Sequence, residues 1–340
     1  MYNICEQDLL TFIIPVYNGR RKIKRCIDSI CNQQYSGKIE LIILDDGSTD
    51  DSLNIIKKYI ELVNVQNIEV RLIEKSNSGV ADTRNLGIRS ARGEYIAFMD
   101  QDDYVANDYC NLMMQAIKKS NADIVVAGYI RVDENDKELY RYVLSKSEWA
   151  PYMVTAPWAH IYRTDFLRKN KITFLKTGIG EDVYFNLIAY ECASKIEVCS
   201  YEGYYWLNNK QSVSNTNQVR ISEKNNPFIL LDNLQMELEK RKLENTPVRE
   251  YFMLRYIVWY ILYTLRGSDW KDICVMQNRL FNWLELYYPE YKKNKYISLT
   301  KPKDDIKVNR YSVWILIKAK KWHFINPILK CLKYGMKLLK

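Results

Sequence analysis

The sequence predicts an α/β protein, a mostly parallel sheet with helices on both faces followed by a helical region. Three observations carry this. Continuous Ile/Leu/Val runs of strand length alternate with helix-spaced segments through the first 130 residues. Aspartate- or Tyr/Asn-bearing stretches follow three of those runs, where sheets of this kind bind ligands beyond their carboxyl ends. From Ile221 the texture turns helical and aromatic.

In order, LLTFIIPVY (9–17) reads as a buried strand, and RKIKRCIDSICNQ (21–33) as a helix with Ile23, Ile27 and Ile30 on one face. KIELIILDD (38–46) is a second buried strand, and DDSLNIIKKYIELV (50–63) a helix capped by Thr49 or Asp50. IEVRLIEK (68–75) is a third strand, GVADTRNLGIRSA (79–91) a helix and EYIAFMD (94–100) a fourth strand. A helix near 108–119 and the strand DIVVAGYI (123–130) follow. Between 140 and 215 the pattern is mixed, with a helix near 181–193 and short strands at 196–199 and 203–207. The expected organisation is 1–220 as an α/β domain, 221–290 as a helical region and 291–340 as a basic tail.

Composition excludes several classes. Two histidines, His160 and His323, rule out a His-rich metal site and disfavour a Ser-His-Asp triad. Eight cysteines contain no CxxC pair and read as reduced, buried thiols, Cys110, Cys199 and Cys331 among them. No apolar run reaches 18 residues; YFMLRYIVWYILYTL (251–265) is interrupted by Arg255 and reads as a buried helix. No signal peptide is visible, so the expected location is cytoplasmic. The net charge of +9 is uneven: residues 291–340 hold 14 Lys/Arg against Asp304 and Asp305, leaving the rest slightly acidic. In the last helix Ile328, Leu329, Leu332, Met336 and Leu339 share one face, and Lys330, Lys333, Lys337 and Lys340 another. Such a helix lies on anionic lipid at the inner face of a membrane, or packs its apolar face on the domain and leaves its lysines in water.

The strand tips carry the chemistry. In FMDQDDY (98–104), Asp100 and Asp102 fall on alternate positions and can aim at one cation, whereas Asp103 is off that spacing and braces the turn. A wet loop capped by Asn107 is the alternative. In DDGSTD (45–50), Gly47 allows a turn and Ser48, Thr49 and Asp50 supply a cap; neither role uses Asp45 or Asp46, which can accept from a base or a ribose hydroxyl. PVYNG (15–19) is a strand end and turn, or places Tyr17 for base stacking. Arg84 is a surface ion pair with Asp82, or steadies a phosphate or base. Glu181 and Asp182 open a helix, where the macrodipole alone favours acids.

Taken together, PVYNG, DDGSTD, NSGVADTRNLGI, YIAFMDQDD, WAHIYRTDFL, ITF and GEDVYFN, spread in this general order over residues 10–215, resemble the family-2 glycosyltransferases, of GT-A, Rossmann-like fold. The resemblance implies an inverting transfer from a nucleoside-diphosphate sugar, UDP-linked, to a saccharide or lipid-linked saccharide acceptor, in surface polysaccharide synthesis. It implies nucleotide contacts from Pro15, Tyr17, Asn18, Asp45, Asp46, Arg84 and Asp100, with Asp46 at the base or ribose. It implies a divalent cation, Mn²⁺ or Mg²⁺, on Asp102 and Asp100, and Asp182, beside Glu181, as base. Thr83 departs from the family's Ala-Arg-Asn. His160 stands where many relatives carry Lys in a Trp-x-Lys-like stretch, so Trp158 and His160 are acceptor or diphosphate candidates. Lys210 is a diphosphate candidate where relatives often carry Arg. The rival readings are another metal-dependent nucleotide enzyme, a nucleotidyltransferase or phosphatase, and a non-catalytic nucleotide- or membrane-binding module. Nucleic-acid binding would leave the acids unexplained.

Overall fold

The computed structural model describes residues 5–62, 66–177, 179–208 and 220–338, and in the last helix side chains only through Tyr334. The chain divides into two compact units, Met1–Lys146 with Val154–Asn209, and Ser147–Met153 with Lys210–Lys340.

The first unit is built on one nine-stranded sheet, ordered β3-β2-β1-β4-β8-β6-β9-β5, with β7 paired to β6. Strands β1 (Glu6–Val16), β2 (Ile39–Asp45), β3 (Ile68–Glu74) and β4 (Gly93–Phe98) are mutually parallel, with β1 at their centre. Every residue of β2 is buried, as its unbroken apolar run requires, whereas β3 closes the edge half-exposed. Helices α1 (Ile23–Cys31), α2 (Ser52–Leu62) and α3 (Val80–Ser90) connect them, and α4 (Tyr109–Ser120) follows. The Asp50 carboxylate caps α2 by accepting from the Ser52 backbone N–H at 3.0 Å. Where α3 crosses β1, a Cβ on Gly87 would lie 2.4 Å from Ile13 Cγ2, so a side chain there would push the helix off the sheet.

Beyond β4 the sheet is more mixed than the sequence suggests. The four-residue strand β8 (His160–Arg163) runs antiparallel between β4 and β6 (Ile124–Val132) and separates them. The expected pair of short strands near 200 is one strand, β9 (Ile196–Leu207), whose register with β6 shifts between Ala127 and Tyr129. The two-residue strand β5 (Tyr104–Val105) pairs with β9, and β7 (Glu138–Tyr142) with β6. The short helix α5 (Thr164–Lys169) and α6 (Glu181–Cys192) complete this unit.

The second unit contains α7 (Pro227–Lys240), α8 (Pro247–Thr264), α9 (Trp270–Tyr287), α10 (Lys307–Lys321) and α11 (Ile325–Leu338). Buried residues surround nearly the whole of α8. Its interrupting Arg255 donates through Nε to buried Asp305 at 2.9 Å. Trp149, from the separate segment 147–153, packs edge-on against Tyr251 at 4.9 Å between centroids. Among the described residues no helix is long and apolar enough to cross a membrane.

Two expectations for the tail are corrected. Cys331 is exposed, although the other two named thiols are buried or half-buried. The packed face of α11 is Ile325, Leu329 and Lys333, while Leu332 is exposed. Lys333 is buried because its ammonium caps the end of α8, donating to the Leu265 carbonyl at 3.2 Å and to the Ser268 carbonyl. The side chains of Met336, Lys337, Leu339 and Lys340 lie outside the described residues.

Candidate active site

Parallel pairing of β1, β2 and β4 brings their carboxyl ends to one edge, so Tyr17, Asp45 and Asp100 emerge together. The loops holding them are cross-tied. Gln101 accepts from the Tyr17 N–H and donates to the Tyr17 carbonyl, both at 3.0 Å. Asn18, in the left-handed region at φ 53°, accepts from the Thr49 and Asp50 N–H groups at 2.8 and 3.2 Å. Asn18 therefore fixes the two loops, and Tyr17 is left 47% exposed. Pro15 remains within β1, opposite Leu44.

The two strand-two aspartates separate by function. Both oxygens of Asp46 are engaged, by Lys75 and by the Ser78 and Gly79 N–H groups at 2.9 Å each. Burial alone would raise its pKa, but these donors hold the carboxyl below its ordinary range. Asp46 thus fastens the turn that starts α3, where Gly79 takes φ 93°. Asp45 is 3% exposed; Oδ2 accepts from the Ser48 N–H at 3.1 Å and Oδ1 has no partner among the described residues. A buried carboxylate oxygen without a donor is costly, and an N–H brought to it would satisfy it.

Arg84 is the centre of the site. It is 3% exposed and donates through Nη1 to Asp182 Oδ1 at 2.5 Å and through Nη2 to Asp100 Oδ1 at 2.7 Å. One planar guanidinium so joins the tip of β4 to the first turn of α6. Its partner is not Asp82, which pairs with Lys176 instead. Burial pushes the Asp182 carboxyl up, Arg84 pulls it back, and Glu181 and Asp100 push it up again; the balance is about 8. That places its titration near neutrality, although its side chain keeps 28% of its surface open to solvent.

Asp102 lies 3.8 Å from Lys22 Nζ. Asp103 is buried and accepts from Tyr204 Oη at 2.7 Å and the Leu207 N–H at 2.8 Å, which braces the turn as its spacing suggested. Tyr204 Oη also accepts from the Asp100 N–H at 3.3 Å, so this tyrosine pins the acidic loop. The sequence reading missed Tyr204, Gln101 and Lys75; each acts across a separation of at least 29 residues, and no local pattern marks it. Asn85 was within reach of sequence reasoning beside Arg84. It exchanges two hydrogen bonds with the Phe174 backbone at 2.8 and 2.9 Å, joining ITF to α3.

His160 is not in this cleft. It is fully buried, with Nδ1 2.7 Å from the Trp158 carbonyl and Nε2 2.6 Å from Tyr190 Oη, and burial depresses its pKa to about 4. Trp158 is 6% exposed and stacks on Tyr204 at 4.8 Å, behind the acidic loop. Both are packing residues. Lys210 lies outside the described residues.

Asp100 and Asp102 are hard oxygen donors suited to Mg²⁺ or Mn²⁺, which proteins hold through one or two carboxylates plus substrate phosphates. Among the described residues no group of three or more His, Cys, Asp or Glu forms a metal cluster. The donor set fits an ion that a bound diphosphate completes.

Several known proteins are similar. The chain is 29% identical over 208 residues to glycosyltransferase GlyA of Streptococcus pneumoniae, covering 56% of this chain and 29% of that protein. It is 29% identical over 209 residues to the poly(ribitol-phosphate) β-N-acetylglucosaminyltransferase TarS of Staphylococcus aureus, covering 58% and 35%. The matches thus span about a third of these relatives' own length. The crystal structure of TarS residues 1–349 with UDP superposes with a TM-score of 0.69 at 20% identity, over 96% of this chain and 91% of that one. A mannosyltransferase from Pyrobaculum calidifontis, in complex with GDP-Man and Mn²⁺, superposes with a TM-score of 0.53 at 15% identity, over 92% and 87%. Both place the fold as GT-A-like. The family model for glycosyl transferase family 2 matches residues 11–180, half of the sequence, and the chain belongs to that family.

Proposed function

We propose that the chain is an inverting glycosyltransferase that moves a sugar from a UDP-sugar to a hydroxyl of a saccharide or lipid-linked saccharide, at the cytoplasmic side of surface polysaccharide synthesis. The observation that carries this reading is the Arg84 bridge, which holds the Asp-x-Asp tip and the first turn of α6 in one cleft. Crystallised relatives described as binding UDP and UDP-GlcNAc support the choice of nucleotide.

In this reaction the acceptor oxygen attacks the anomeric carbon as the bond to the leaving diphosphate breaks. Asp182 takes the acceptor proton; Arg84 engages Oδ1, so Oδ2 is the receiving atom. Arg84 stays cationic throughout and holds Asp182 and Asp100 in place before and after Asp182 takes the proton. Asp102, with Asp100, would hold the divalent cation, which supplies charge to the leaving diphosphate. Tyr17 offers a ring face for the base, and the unsatisfied Oδ1 of Asp45 accepts the N3–H of uracil. This assigns to Asp45 the base contact first expected of Asp46, whose oxygens are already engaged.

Calorimetry tests both assignments. UDP binding that is strengthened by Mn²⁺ should weaken by about tenfold or more in Asp102→Ala and lose its Mn²⁺ dependence. Unchanged Mn²⁺-dependent binding would remove Asp102 from the metal. Asp45→Asn should weaken UDP by roughly tenfold and narrow the gap between UDP and CDP, because cytosine has no N3–H to donate. If the two nucleotides keep their wild-type ratio, Asp45 does not read the base.

A further inference from the structure

The outward face of α10 presents an apolar stripe along its whole length. Val308, Tyr311, Ile315 and Trp322 are 71, 40, 43 and 64% exposed, and Phe324 in the following turn is 62% exposed. Continued one residue past α10, helical spacing confines Val308, Tyr311, Ile315 and Trp322 to a sector of ~60°. Lys307, Lys318 and Lys321 occupy an adjoining sector of ~60°. The other side, Val313, Leu316 and Ile317, is buried, and Ala319 is buried at the stripe's margin, so the helix already has its core contacts and the stripe is surplus to them. Beside it, between α8 and α10, runs a groove of about 270 Å³ lined by Trp259, Leu262, Arg266 and Val308 among others.

The geometry points to this face of the second unit as a docking surface for an anionic lipid bilayer, with α10 lying in the interfacial plane. Charge complementarity selects the occupant. Residues 291–340 carry 14 Lys/Arg and only Asp304 and Asp305 against them, and Asp305 is buried against Tyr251 and Arg255. An apolar stripe flanked by lysines matches a headgroup boundary, where aromatic and aliphatic side chains enter and ammonium groups meet phosphates. A second copy docked face to face with its helix antiparallel would bring each lysine flank against its own kind. A nucleic acid would use the lysines and leave Val308 and Ile315 unexplained. The candidate membrane face thus moves to α10 from α11, for which packing on the domain is the alternative and whose Lys333 is buried. It does not depend on the proposed reaction, because the surface is read by binding alone.

The test is cosedimentation of the full chain with vesicles of phosphatidylcholine alone or mixed with phosphatidylglycerol. The wild-type protein is expected to bind the mixed vesicles and not the neutral ones, with binding weakened by salt. The Lys307→Glu/Lys318→Glu/Lys321→Glu protein should lose at least about tenfold in partition. Val308→Ser/Ile315→Ser/Trp322→Ser should lose as much without any change of charge. Lys38→Glu/Lys58→Glu/Lys119→Glu makes the same charge change at exposed positions of the first unit and should bind as the wild type. The proposal is overturned if the wild type ignores anionic vesicles or if the first-unit control loses equally. It also falls if the serine variant keeps its partition, the result expected of a general polyanion site. Loss of self-association in light scattering with unchanged vesicle binding would instead assign the stripe to a second copy.

Discussion

Asp182→Asn is expected to lower turnover by about 10²–10⁴-fold, the usual worth of a positioned general base, while UDP affinity stays within about twofold. Asn preserves the volume and can still accept from Arg84, so the loss isolates the proton acceptor. A pH profile gives a second reading of the same residue. The base must be ionised to work, and the carboxyl is pushed up to about 8. The wild-type rate should therefore rise with pH through about 8 and level above it, and the Asn variant should lack that limb. Near-normal turnover in the variant, or survival of the limb, would remove Asp182 from the reaction.

Arg84→Met should have the largest effect on stability. It leaves two carboxylates facing each other across the space of a buried cation, which costs about 2–5 kcal/mol. The lower half of that range applies, because Asp100 and Asp182 keep 32% and 28% of their side-chain surface in water. Thermal denaturation reads the loss as roughly 4–15 °C for a unit of this size. In an Asp182→Asn background the same change should cost less, since one of the stranded charges is gone. With Arg84 removed the influence that lowers the Asp182 pKa disappears, so the rising limb should move to higher pH as well. An unchanged melting temperature would mean that the bridge does not hold the site together. Arg84→Lys should rescue only in part, because a single ammonium cannot span both carboxylates in the same fork geometry.

The core of the α/β unit was legible because strands covered on both faces must be apolar throughout, as all of β2 is. The strand-tip aspartates stood out against those runs for the same reason. The short strands were not legible. Strand β8 pairs with β4 at Tyr95 with Arg163 and Ile96 with Tyr162, and nothing local in HIYR specifies an antiparallel neighbour. The choice between Asp45 and Asp46 turned on where Lys75, Ser78 and Gly79 donate, which is 29 to 33 residues away in sequence. His160 was placed near the chemistry by its motif, but its neighbours Trp158 and Tyr190 seal it into the core. A helical wheel assigned Lys333 to water; the open carbonyls at the end of α8 offered its ammonium a better partner. The Asp46 and Lys333 misses share one origin: a polar contact distant in sequence outweighed the local pattern.

The segment 147–153 gives the molecule a particular modular grammar. The helical unit takes Trp149 from a stretch of chain that lies between two pieces of the sheet unit. No single cut in the sequence therefore releases either unit whole. A fragment beginning near 210 would lack the indole that packs on Tyr251, and a fragment ending there would carry that indole without its Tyr251 partner. Recombination that exchanges one helical region for another needs two splice points in register, whether made by evolution or by a protein engineer. The two halves of this chain are thereby constrained to be inherited together.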